Sequence, residues 1–170
     1  MFGLSSLGVG ISAKRWLPSI DAPVKRSQIF YPQFIFQIFT VTFLGLLSVT
    51  TYKYIDKPEA LNFSSLYVWV IPLYLIAHTI YSQSADYFRY THRIGLFNIA
   101  TVIHPYLVIG IVLCTYWITS NLDATILIIS LMLASALVGI VAFLSIYKEI
   151  GFQPTIFTFQ ELSKEIKLGF

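Results

Sequence analysis

The stretch Ser64–Thr119, SSLYVWVIPLYLIAHTIYSQSADYFRYTHRIGLFNIATVIHPYLVIGIVLCTYWIT, decides how this chain is built. It contains two apolar segments, Ser64–Gln83 and Leu96–Thr119, joined by the polar bridge SADYFRYTHRIG at Ser84–Gly95. About 20 helical residues rising 1.5 Å each cross a hydrocarbon core of roughly 30 Å, so either segment is long enough to span a bilayer. The bridge then turns the chain round at one membrane face. All three histidines, His78, His92 and His104, lie in or beside this hairpin.

The rest of the chain repeats the pattern. Of its 170 residues 11% are charged and the mean hydropathy is +0.74, where soluble domains carry about a quarter charged residues. The sequence therefore predicts an all-α integral membrane bundle of four transmembrane helices at about 33–52, 64–83, 96–119 and 124–147. A basic arm at 1–32 precedes this transmembrane domain at 33–147, and an amphipathic tail at 148–170 follows it. The opening run MFGLSSLGVGIS has no basic start and a short apolar core, and reads as mature protein rather than a cleaved leader.

Lys and Arg are distributed unevenly between the two sides. The arm, bridge and tail together hold nine, against two in the loop after the first segment and none in Ser120–Asp123. The positive-inside rule places both termini and the bridge on the cytoplasmic or matrix-equivalent side, an N-in, C-in topology that needs an even number of spans.

Within the segments, Pro32 is expected in the first turn of segment one, where its missing N–H costs nothing. Gln37 is a polar residue placed for an interhelical hydrogen bond. Pro72 and the His104-Pro105 pair predict kinks in segments two and three. Ser135, Gly139 and Ala142 are spaced by four and three, which puts small residues on one helical face where another helix can approach closely. Cys114 stands alone and allows no intrachain disulfide. In the tail, Thr158 and Glu161 form a capping-box pattern that opens a short helix with Phe159, Leu162 and Ile166 on one face.

Three groups are candidates for function. His78 lies five residues before Gln83 and His104 eight residues after Leu96, depths that differ by roughly 5 Å. Ionisable groups inside a span are functional candidates, and this pair invites a haem b or quinone site between segments two and three, beside the plainer reading of structural histidines. Lys14, Arg15, Trp16, Lys25 and Arg26 of the arm suit an anionic phospholipid surface or a partner protein. Arg89, His92 and Arg93 form one basic face if segment two stays helical past Gln83.

Other chemistries lack their residues. There is no Cys cluster or H-E-x-x-H for a metal, and no phosphate-cradling glycine loop. No predicted span contains Asp or Glu, which argues against a proton-driven carrier. Nucleic acid has no extended basic surface to bind. The expectation is a cofactor-free, non-catalytic integral subunit of a larger respiratory or secretion complex in a bacterial or mitochondrial inner membrane, with other integral subunits as partners. A redox anchor holding haem b or quinone at His78 and His104 is the alternative, and a small oligomeric channel or carrier is weaker.

Overall fold

The computed structural model of the protein describes Leu17 and residues 22–54, 65–120 and 123–152. These residues form four helices and no strand: α1 (Pro23–Tyr54), α2 (Ser65–Tyr90), α3 (Ile94–Thr119) and α4 (Ala124–Ile150). Among the described residues three helices, α1, α3 and α4, are long and apolar enough to cross a membrane, which marks a multi-pass membrane protein. α2 is the more polar fourth, with His78, Thr79, Ser82, Gln83 and Ser84 in its second half.

The bundle is organised around α2 and α4, which share the largest interface; α1 lies mainly on α2, and α3 mainly on α4. The order across the bundle is therefore α1, α2, α4, α3. α2 and α4 run in the same direction, with α3 as the return path. Their close approach depends on Gly139, where an added Cβ would sit 2.8 Å from the backbone nitrogen of Tyr81 and 3.1 Å from its Cα. Ser135 and Ala142, four and three residues from Gly139, are also buried on this side of α4. Small residues stabilise membrane helix pairs in this way because backbones in contact gain dispersion energy that lipid tails do not match.

At one end of the bundle the start of α1, the α2–α3 turn and the end of α4 converge. Leu17, Phe30, Tyr31, Tyr87, Phe88, Ala142, Ile146 and Ile150 form a buried cluster there. Its rings meet edge to face, Phe30 with Tyr87 at 5.0 Å and Tyr31 with Phe152 at 5.0 Å, while Phe34 stacks on Phe143 at 4.9 Å. Such pairs add to the area they bury because the positive ring edge faces a negative ring face.

This convergence explains where the helices depart from the hydropathy blocks. α1 starts at Pro23, ten residues ahead of the predicted 33, so Pro23 takes the first-turn position and Pro32 falls inside the helix. The missing N–H of Pro32 removes one hydrogen bond, and the packing of Phe30, Tyr31 and Gln33 around it keeps the helix continuous. α2 likewise runs on past Gln83 to Tyr90, since Ser84, Ala85, Tyr87 and Phe88 are buried rather than solvated. It ends where Thr91 donates its hydroxyl to the Tyr87 carbonyl at 2.8 Å and His92 adopts a left-handed φ of 58°. α4 extends to Ile150 and stops at Gly151, whose φ of 65° suits a residue without a Cβ.

Replacing Gly139 by alanine should lower stability by about 1–3 kcal/mol, because the displaced atoms are backbone and cannot swing aside. Gly110→Ala is the matched control: nothing lies within 4 Å of a Cβ there, so it should be neutral or stabilising. Thermal unfolding of the two variants in detergent reads this difference.

Candidate functional site

Two polar clusters stand out, one midway along the bundle and one at the converging end. The first begins with a row on α2, Tyr74, His78 and Tyr81, spaced by four and three so that the rings follow one another along a single face. Tyr74 and His78 lie 5.6 Å apart between ring centres, and His78 and Tyr81 5.8 Å. Tyr81 then stacks nearly flat on His104 of α3, with centres 4.4 Å apart and planes inclined by 16°. On the far side the Nε2 of His104 lies 2.9 Å from the hydroxyl oxygen of Ser135 on α4. Three helices are thus joined at one level by Tyr81, His104 and Ser135.

His78 and His104 both neighbour Tyr81, and its ring covers the face of His104. The described geometry is that of an interhelical polar contact.

Gln37 belongs to the same level. The register of α1 on α2, set by Gly45 against Pro72 and Phe30 against Tyr87, puts it opposite Ile80. It is buried, and its amide nitrogen has no hydrogen-bond partner among the described residues. Most hydroxyls in the helices are satisfied locally: Thr40, Thr42, Thr79, Thr101, Thr115 and Ser130 each donate to the carbonyl four residues back. Ser135 lies on the buried small-residue face with Gly139 and Ala142, so its bond to His104 and the α2–α4 contact share one side of α4.

At the converging end, Glu149 is the organising group. Its Oε1 accepts from Arg93 at 2.8 Å and from Arg26 at 3.5 Å, joining α1, the turn and α4 through one carboxylate. Beneath it Tyr87 is 1% exposed. Tyr87 lies beyond Gln83 and outside the apolar segment, and its phenol is pushed up to about 12, first by burial and then by the Glu149 charge.

Arg26 and Arg93, candidates from the sequence for lipid or partner contact, both pair with Glu149. Glu149 itself carried no motif. The available signal was that it is the lone carboxylate between Asp123 and the end of α4. The single basic face expected for Arg89, His92 and Arg93 is divided, because α2 stops at Tyr90 and the chain turns at His92. Arg89 instead lies 6.0 Å from the ring centre of Phe97, and both Arg89 and His92 are exposed, as is Lys25. Lys14, Arg15, Trp16 and the amphipathic tail lie outside the described residues. Among the described residues no group of three His, Cys, Asp or Glu side chains gathers as a metal site.

No protein-family model matches the chain, and comparison with curated proteins and with solved structures finds no match.

Two measurements follow from this geometry. A double-mutant cycle of His104→Ala and Ser135→Ala should give a coupling of about 0.5–1.5 kcal/mol in detergent unfolding, the range of hydrogen bonds between membrane helices. For Tyr87 the folded value exceeds the unfolded one, so the folded state holds the phenolic proton more tightly. Its contribution to stability is complete below pH 10 and is lost as the pH rises from 10 to about 12. Stability compared between wild type and Tyr87→Phe across that interval should show the slope in the wild type and a smaller one in the variant.

Proposed function

We propose that the chain is a non-catalytic, structural subunit of a larger membrane assembly and crosses the bilayer four times with both termini and the α2–α3 turn on the cytoplasmic or matrix side. One observation carries the reading: the histidine best placed for chemistry inside the membrane, His104, is engaged by Ser135 at 2.9 Å and by the Tyr81 ring at 4.4 Å. Side chains that hold helices together in this way fix a shape without presenting a reacting group. α2 goes into the membrane with the others because it contacts all three of them. Orientation follows from the nine Lys and Arg residues of the arm, bridge and tail. A bacterial or mitochondrial inner membrane suits that distribution.

The outward surface supports an assembly role. Large apolar side chains such as Phe39 and Phe43 on α1 and Leu137 and Val141 on α4 face outward, toward lipid or toward helices of other subunits. Functional partners are therefore other integral membrane chains.

Solubilising the native membrane in mild detergent and isolating the chain through a C-terminal tag tests this directly. Stoichiometric larger chains should co-purify with wild type and with His104→Ala alike, and neither preparation should show a Soret band assignable to this chain. A lone oligomer whose haem spectrum vanishes in His104→Ala would replace the structural reading with the redox one.

A further inference from the structure

Resting on the membrane reading above, we propose that the outer side of the α2–α3 turn is a binding site for an anionic phospholipid, with its headgroup phosphate at Arg89, His92 and Arg93 and its acyl chains along α3. The turn brings these three side chains together without making them one helical face. Arg89 ends α2 with its guanidinium over Phe97, at the first turn of α3, and His92 follows in the exposed left-handed position. Arg93 is held from beneath by Glu149 at 2.8 Å, yet its side chain remains 44% exposed. One carboxylate facing both Arg26 and Arg93 leaves this end with an excess of positive charge. Asp86, half-buried one turn earlier on α2, is the other acidic residue near in sequence.

An apolar track descends from this charge. Ile94, Leu96, Ile99 and Ile103 are exposed on the first turns of α3, so acyl chains can lie along the helix directly below the turn. A cationic group at the head of an outward apolar stripe matches an amphiphile with a phosphate at one end and hydrocarbon behind it. A water-soluble phosphate would use the cations and leave the stripe idle. A guanidinium donates two parallel N–H groups to phosphate oxygens, and a juxtamembrane cation attracts acidic lipid over its neutral counterpart.

The test is native mass spectrometry of the full chain in detergent, titrated with dioleoyl phosphatidylglycerol and dioleoyl phosphatidylcholine, which share their acyl chains and present an anionic and a zwitterionic headgroup. Phosphatidylglycerol should be retained preferentially. The Arg89→Gln, His92→Gln double variant should lose about fivefold or more of that preference, the ratio one juxtamembrane cation carries, with phosphatidylcholine binding unchanged. Lys25→Gln, an exposed cation on α1 outside the turn, should keep it, and gel filtration with circular dichroism checks the fold of each variant. Equal retention of both lipids, or an undiminished preference in the double variant, would overturn the site while leaving the membrane reading intact. Displacement of phosphatidylglycerol by excess glycerol phosphate would overturn the lipid assignment in favour of a phosphate ligand. Failure to retain either lipid would count against the site and the membrane reading together.

Discussion

The rest of the molecule depends on the backbone contact between α2 and α4 at Gly139. Because no side chain separates the helices there, Tyr81 sits at the centre of the bundle, within reach of α3. A larger residue at 139 would move α2 outward, and the stacking of Tyr81 on His104 would be lost with the spacing. The same approach brings the end of α2 beside the end of α4, so that Tyr87 is buried under Glu149. In a bilayer this contact matters more than apolar matching, since lipid solvates leucine as well as another helix does.

Two kinds of polar interaction then complete the bundle, each suited to its depth. At mid-bundle the links are neutral: a ring stack and one hydrogen bond between an imidazole and a hydroxyl. These satisfy polar groups without placing a charge in hydrocarbon, which is costly. At the converging end a carboxylate and two guanidiniums are used instead, all of them partly accessible to solvent, where charge costs less than in the bundle interior. The aromatic cluster of Phe30, Tyr31 and Tyr87 lies between the two, an arrangement in which large rings exclude water from the bundle while the ion pairs close its end.

The histidines illustrate what similar depth leaves open. Counted along the segments, His78 and His104 sit at nearly one level, and a ligand between them is a natural inference. Depth fixes one coordinate of a side chain and leaves its azimuth open. The azimuth was set by the packing of α2 on α4, which places Tyr81 against His104. Glu149 shows the reverse case: nothing in its neighbours marks it, and its role comes from residues 123 and 56 positions away at Arg26 and Arg93.

The sequence by itself determined that the chain is helical, apolar enough for a membrane and punctuated at the α2–α3 and α3–α4 turns, because hydropathy and helical spacing are local properties written in consecutive residues. It also marked Ser135, Gly139 and Ala142 as one small-residue face. Helix ends were less legible: Pro32 and the bridge residues Ala85, Tyr87 and Phe88 look like boundaries until their neighbours bury them. Only the tertiary structure decided which helix that small face meets, that Ser135 engages His104, and that Arg26 and Arg93 pair with Glu149. Those are pairings between residues far apart in the chain, and their energies exist only once two surfaces are brought within contact distance.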